Sequence, residues 1–464
     1  MLAGAEVGSA TDVPPPQVLP AKQVLAVVVG NAIEFYDFLI YALFAIQIGR
    51  ALFPASSAYA SLMLSLAAFG AGFLTRPIGA VVLGTYADRV GRKPAMLLSL
   101  TLIGISIAVM ALIPSYARIG LAAPILAVLA RLTQGFSLGG EIGANTAFLA
   151  EAAPPERRGA AVSWQLASQL IALIAGSLVG VVLTAAMPPA AIDAYGWRIA
   201  LLLGAAIVPF GLWLRRRLPE TLESGAAGAA RDDVRGSVRC ARWSLRGSEA
   251  APRGGLALAR RHARIMVLGL VVIAAASIGQ YISSYIATYA QATLRLPPRA
   301  GFLAELTGYV VSVPLVLAGG ALSDRFGRRP VNIWSNLAFL VAIYPVFTWI
   351  VAARSTVSLI LGSTLLSALL SISGGSFIAA LAEALPAGIR SSGFGTIYSL
   401  AVALFGGTAE LVVTWLIHVT GSPIAPAWYL IGAAGAGEIA LLLFPETAPV
   451  RTRRAARQLK QPDL

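Results

Sequence analysis

The sequence predicts an all-α membrane protein: twelve transmembrane helices in two homologous six-helix bundles, with N and C termini cytoplasmic. Three observations predict it. Of 464 residues, 57% are hydrophobic and only 12% charged, and mean hydropathy is +0.77; a soluble domain has no use for that much apolar surface. A charged decapeptide between two apolar runs, Gly84-Thr85-Tyr86-Ala87-Asp88-Arg89-Val90-Gly91-Arg92-Lys93, returns 236 positions later (84 to 320) as Gly320-Ala321-Leu322-Ser323-Asp324-Arg325-Phe326-Gly327-Arg328-Arg329. Finally, lysines and arginines crowd into alternate connections between the apolar runs.

The repeat divides the chain. Pro94 is matched by Pro330, Leu149-Ala150-Glu151-Ala152 by Leu381-Ala382-Glu383-Ala384, and Leu218-Pro219-Glu220-Thr221 by Phe444-Pro445-Glu446-Thr447, all in the same order. A period this long is no solenoid unit; parallel halves of this length build two-bundle membrane proteins. The expected domains are a disordered tail at 1–22, a bundle at 23–218, a linker at 219–262, a second bundle at 263–447 and a basic tail at 448–464. The first tail is small, polar and proline-bearing, and shows no signal-peptide pattern.

Apolar runs lie near 24–50, 60–86, 94–113, 121–151, 158–186 and 197–214, then near 263–292, 302–322, 331–352, 355–384, 389–418 and 424–445. Each reaches the roughly 20 residues needed to cross a bilayer, and the longer ones tilt or protrude. One set of connections carries Arg89, Arg92 and Lys93, then Arg157 and Arg158, then the arginines from Arg215 to Arg264, then Arg325, Arg328 and Arg329, then Arg390 and the final tail. The alternate set carries mainly single arginines, such as Arg50, Arg118, Arg198 and Arg354. The first set is therefore expected on the cytoplasmic side.

Several function classes fall away. The formal charge of +14 follows the topology rather than a soluble domain, so no nucleic acid is expected. The one cysteine, Cys240, sits in the linker, and His262 and His418 are far apart, so neither disulfides nor a metal site is expected. No catalytic triad, phosphate-binding loop or cofactor motif is present, which argues against an enzyme and against a cofactor. The expected partners are a small solute, protons and the lipid bilayer, with a monomer as the unit.

An ionisable side chain at mid-membrane costs about 2.5–3.5 kcal/mol, so each asks for a reason. The first run places Asn31, Glu34, Asp37 and Tyr41 on one broad helix face. Glu34 and Asp37 lie about 4–5 Å apart along the axis. Two carboxylates so close and away from water do not both ionise readily, which suits a proton-coupling site; a buried pairing with a fixed arginine is the alternative. Arg76 in the second run and Arg131 in the fourth are the counter-charges. Arg131, Gln134, Leu138, Glu141 and Asn145 form a stripe covering less than a third of a helix circumference, beside Gly135, Gly139 and Gly143, which permit close helix contact. Either arginine is placed to grip a substrate carboxylate or to neutralise Glu34, Asp37 or Glu141. Gln165 and Gln169 in the fifth run, and Gln280, Tyr281 and Tyr285 in the seventh, either contact a solute or join helices. Glu410, the lone acid of the eleventh run, is a further proton-site candidate; Glu305, Glu438 and His418 fall near run ends, where solvation accounts for them.

The charged turns carry a gate reading. Asp88, Arg89 and Arg92 in one half match Asp324, Arg325 and Arg328 in the other, with Glu151 and Arg158 matching Glu383 and Arg390. Ion pairs across these junctions either close the cytoplasmic face in one state or serve as static anchors.

At these residues the chain resembles a known group. Gly84-x-x-x-Asp88-Arg89-x-Gly91-Arg92-Lys93 is similar to the signature of the major facilitator superfamily. Gly30-Asn31-Ala32-Ile33-Glu34-Phe35-Tyr36-Asp37-Phe38, the stretch from Arg131 to Glu141, and Gly196-Trp197-Arg198 resemble marks of its metabolite:proton symporter family. The resemblance covers 24–222 closely and 263–447 more loosely. The stretches Phe53-Pro54-Ala55-Ser56-Ser57, Gly70-Ala71-Gly72-Phe73 and Pro114-Ser115-Tyr116 are most similar to the citrate and tricarballylate branch. The resemblance implies proton-driven uptake of a di- or tricarboxylate across a bacterial-type inner membrane. The alternatives are oxoglutarate, a shikimate-like acid, a zwitterionic osmolyte, an exporter or a transporter-derived sensor; the tail to Leu464 lacks the heptads of the osmosensing branch.

Overall fold

The computed structural model describes residues 31–32, 35–36, 40–90, 92–139, 141–216, 262–386 and 390–451. The expected tail at 1–22, nearly all of the linker, and the last residues of the chain lie outside these, as do Glu34 and Asp37. Among the described residues every regular element is helical. The first repeat comprises α1 (Ala45–Leu52), α2 (Ala58–Leu74), α3 (Arg76–Val90), α4 (Arg92–Leu112), α5 (Ala122–Leu138), α6 (Glu141–Ala152), α7 (Arg158–Ala186) and α8 (Trp197–Arg216). The second comprises α9 (Ala263–Ser284), α10 (Ile286–Ala292), α11 (Pro298–Phe326), α12 (Arg328–Ala353), α13 (Thr356–Ala384), α14 (Arg390–Ala401), α15 (Gly407–Thr420) and α16 (Ala425–Leu443). Eight of the described helical segments are long and apolar enough to cross a membrane.

Several expected spans are broken, and each break has a local cause. Between α2 and α3 the Thr75 hydroxyl donates to Gly72 O (3.2 Å) and Leu132 O (2.6 Å), and Pro77 supplies no amide to the next turn. In the fourth run α5 carries Arg131, Gln134 and Leu138 through to its end, and Gly140 lies outside the described residues. The seventh run breaks at Tyr285, and the eleventh contains a π-turn at Val402–Gly406 joining α14 to α15. Such interruptions are common beside functional groups, and each here lies next to a buried polar residue.

Close packing sets the depth of the interior. A Cβ at Gly135 would overlap Gly72 O, and one at Gly139 would overlap Arg76 O. The backbones of α5 and of the α2–α3 joint therefore touch, as small residues allow, and this contact brings Arg76 and Arg131 into one layer. At one end of the bundle the Arg198 guanidinium donates to Ala111 O (2.9 Å) and Ile113 O (2.6 Å), closing the open carbonyls at the end of α4. The Gly196-Trp197-Arg198 mark is thus a helix-ending device in this chain.

The two repeats meet along α7, which packs on α11 and α13, and along α2 with α15 and α6 with α14. At the arginine-rich end, Gly159 and Ala160 meet Asp324. At the opposite end Gln47 donates to Gln291 (3.4 Å), the Phe44 and Phe302 rings lie 5.2 Å apart, and Tyr59 stacks on His418 at 3.8 Å. The repeats touch at both ends, and the polar interior lies between.

The Gly135 contact yields the first test. Gly135→Val should abolish monodisperse, folded protein in detergent gel filtration, because backbone has nowhere to move. Gly432→Ala should elute like the wild type, since nothing lies within 4 Å of a Cβ there.

Candidate functional site

Among the buried charged residues, Arg76 at the start of α3, Arg131 on α5 and Glu410 on α15 lie close to one another, exposed by 2%, 1% and 1%. Arg131 Nη1 donates to Gln134 Oε1, one turn along, at 2.7 Å. Its guanidinium centre lies 4.6 Å from the Tyr41 ring centroid and 4.9 Å from that of Phe69. The Arg76 guanidinium lies 4.5 Å from the Phe73 centroid. Aromatic faces attract cations, by about 2 kcal/mol when desolvated, so the rings replace part of the water these arginines have lost.

Further contacts hold the box together. Tyr41 OH donates to Ser65 O (3.1 Å), and its ring stacks on Phe69 at 6.0 Å. Tyr281, from the second repeat, meets Phe73 edge-on at 5.3 Å and Phe69 at 6.1 Å. Both carboxylate oxygens of Glu410 lack a hydrogen-bond partner; Arg131 is the cation whose field acts on it. Two guanidiniums and one carboxyl thus share a dry layer between the repeats. The spacing of Arg131 and Gln134 is legible in sequence. The approach of Glu410 from the other repeat is not.

The remaining candidates divide. Asn31 Nδ2 donates to Ser168 Oγ (2.6 Å), and Gln165 Nε2 donates to Asn31 Oδ1 (3.2 Å); these residues join the first run to α7, and Gln165 Oε1 is buried without a hydrogen-bond partner. Tyr285 OH accepts from Thr414 Oγ1 at 2.8 Å. Gln169, Gln280, Tyr281 and Tyr398 line a cavity of about 100 Å³ together with Asn336 and Ser371. Glu34 and Asp37, and the Glu141 side chain, lie outside what the structure describes. Sequence position misplaced two acids. Glu305, expected to be solvated, is 3% exposed, and Glu438 is buried with Asn336 donating to it at 2.7 Å.

A second charged cluster closes the arginine-rich end. Arg328 Nη1 lies 2.7 Å from Asp324 Oδ1, and Arg328 Nη2 lies 3.0 Å from Glu383 Oε1. Both oxygens of Asp324 then reach the other repeat: Gly159 N donates to Oδ1 (2.9 Å) and Ala160 N to Oδ2 (3.0 Å). Asp324 therefore caps the first turn of α7, where free amides and the helix dipole favour an anion. Arg158 Nη1 is 3.8 Å from Glu383. Arg158 and Arg390 occupy matched positions, donating to Ala150 O (2.7 Å) and Ala382 O (2.8 Å). Arg325 is exposed. The side chains of Asp88, Arg89, Arg92 and Glu151 lie outside the described set.

The last repeated motif completes this end. Glu446 Oε1 accepts from Arg328 N (2.9 Å) and Oε2 from Arg329 N (3.1 Å), capping α12, while Thr447 Oγ1 donates to Glu383 Oε2 (2.8 Å). The signal was in the sequence, as the Pro-Glu-Thr echo, but without its partner helix it had no chemical meaning.

Removing one member of a buried, hydrogen-bonded ion cluster costs about 3–5 kcal/mol. Asp324→Ala should therefore loosen the seam between α7 and α11. Alkylation of a cysteine placed at Ser163, which is buried in that seam, should quicken at least about tenfold, the factor that 1.4 kcal/mol carries. An unchanged rate would make the cluster a static anchor.

Comparison with known proteins follows the same lines. The family model described as "Sugar (and other) transporter" matches residues 23–457. The citrate-proton symporter of Klebsiella pneumoniae is 38% identical, over 90% of each chain. A putative proline/betaine transporter of Staphylococcus aureus is 32% identical, over 88% of this chain and 84% of its own. In fold, the crystal structure of a D-xylose-proton symporter superposes with a TM-score of 0.70 at 17% identity, covering 92% of this chain and 98% of that one. With its apolar helices, charged interior and duplicated turn, the chain belongs to the sugar (and other) transporter family of the major facilitator superfamily, and is a multi-pass transporter of the bacterial inner-membrane type.

Proposed function

We propose that the chain is a proton-coupled symporter that imports a small organic acid, with a di- or tricarboxylate such as citrate as the leading substrate. The observation that carries this reading is the burial of Arg76, Arg131 and Glu410 in one layer between the repeats. Guanidinium groups grip carboxylates bidentately, and two of them suit a substrate with more than one carboxylate. Glu410 supplies the coupling. Arg131 is the cation whose field reaches Glu410. An arriving anion takes over that arginine, so Glu410 gains a proton as the substrate binds; by linkage, the proton strengthens substrate binding equally. Asp37 and Glu34 are proposed as further proton carriers. The citrate-proton symporter relatives support this reading.

The proposed architecture has twelve spans in two six-helix bundles, at 23–218 and 263–447, with both termini, the 219–262 linker and the arginine-rich end cytoplasmic. Rocking of one bundle against the other would then expose the layer to each side in turn. Asp324, Arg328, Glu383 and Arg158 form the cytoplasmic gate in this scheme. Its partner set, Asp88, Arg89, Arg92 and Glu151, is proposed to act likewise.

A second reading has a specific observation behind it. The rings of Tyr41, Phe69, Phe73 and Tyr281 form the kind of cage that binds quaternary ammonium groups, and some relatives carry proline/betaine names. In this chain the faces of Tyr41, Phe69 and Phe73 already hold arginines, which favours an anion.

Uptake into liposomes by the purified protein tests the proposal, with labelled citrate, tricarballylate, oxoglutarate, shikimate and proline betaine offered with and without an inward proton gradient. The expected outcome is gradient-stimulated uptake of a di- or tricarboxylate. Arg131→Gln should weaken binding by about 2–5 kcal/mol, the cost of truncating a buried charged partner. Glu410→Gln should keep substrate exchange and lose gradient-driven accumulation. Accumulation of betaine instead of acids would select the second reading, and uptake indifferent to the gradient would sink the coupling.

A further inference from the structure

We propose that Glu305 is a second proton-binding site, whose protonation allows the end of the molecule opposite the arginine-rich gate to close. Glu305 sits on α11, 3% exposed, in the seam between the repeats. Ala287 N–H, in the first turn of α10 just past the break at Tyr285, donates to Oε1 at 2.9 Å. The Ser177 hydroxyl, on α7 of the other repeat, reaches Oε2 at 3.5 Å. One turn away the Phe302 ring covers Gly180 of α7 and packs on Phe44. The carboxyl is dry because these surfaces are together.

No described cation balances it. Among the described residues, no ion pair includes Glu305. The helices packed on α11 are α7, α13, α10 and α12, besides the short turn before α7. Among these, Arg158 and Glu383 belong to the far end, Tyr289 donates its hydroxyl to Pro423 O, and Arg328, Arg329 and Tyr344 of α12 are bound to the far end or exposed. Glu156 and Arg157 in the turn are exposed at the far end. On α11 itself Arg299 is exposed, Asp324 and Arg325 are at the far end, and Tyr309 lies one turn along. The remaining titratable neighbour whose field reaches it is Glu410, an acid. A lone buried carboxylate costs several kcal/mol, whereas its neutral form is satisfied by two hydrogen bonds. Closing the seam therefore requires the carboxylate to take a proton from water on its own side, forming an O–H bond. Opening re-wets the group and returns that proton to water. Beyond it a buried polar path continues inward: Tyr309 OH lies 3.1 Å from Ser284 Oγ, and the neighbouring Tyr285 OH accepts from Thr414, which also donates to Glu410 O.

The inference rests on the alternating-access reading above, and its test reads the seam directly without transport, so failure of one is distinguishable from failure of the other. In the full chain with Cys240→Ser, spin labels on cysteines at the exposed positions Ser56 and Val419 would report the separation of the repeats at this end across pH, without substrate. The closed-to-open ratio should fall as pH rises, by up to about tenfold per unit, the slope of one proton bound more tightly in the closed form. Glu305→Gln, a neutral isostere able to accept from Ala287 N, should remove about one proton from that slope and favour the closed form. His418→Phe should leave that proton in place. A pH-independent wild type would overturn the proposal whether or not the variants fold. A wild-type slope in Glu305→Gln, or a slope lost only in His418→Phe, would overturn it too, the latter by assigning the proton to the Tyr59–His418 stack.

Discussion

Holding charge where there is no water is the constraint from which the rest of the structure follows. Arg76, Arg131 and Glu410 lie in the interior of a chain surrounded by lipid, and each would be costly alone. Aromatic faces lie against both guanidiniums, Gln134 bonds one of them, and an acid from the opposite repeat lies within reach of its field. Those contacts need the α2–α3 joint and α5 at backbone distance, which only glycine at Gly135 and Gly139 permits.

Charge is handled differently at the two ends. The arginine-rich end is a network of opposite charges, in which Asp324 is at once an ion-pair partner of Arg328 and the cap of a helix in the other repeat. Closing that end satisfies charges. The opposite end is joined by rings, amides and one unbalanced acid. Closing that end buries a carboxyl that no described cation balances. One end is thus held by ion pairing that salt and water weaken, and the other mainly by apolar contact.

Much of this was legible in the residues. The repeated decapeptide marks two halves, and the spacing of Arg131 and Gln134 marks a helix face that the structure uses. Three features were not legible, for physical reasons. Asp324 acts across the repeats, on amides of α7 that carry no side-chain signature. Glu446 caps α12 from 118 positions away, so its motif was visible while its partner was not. Glu305 looked solvated because hydropathy places the apolar run at 302–322, whereas the helix begins at Pro298 and the α10 segment covers its first turns. Periodicity reports which side of a helix is apolar; it does not report what a helix break elsewhere brings against it.

In this mechanism an acid and a proton occupy the interior together. Calorimetry of citrate binding to the purified protein, repeated in two buffers of different ionisation enthalpy, tests it most directly. The account predicts binding whose heat depends on the buffer, with net proton uptake by the protein that disappears in Glu410→Gln. Citrate binding with the same heat in both buffers, and so no proton taken up, would contradict it.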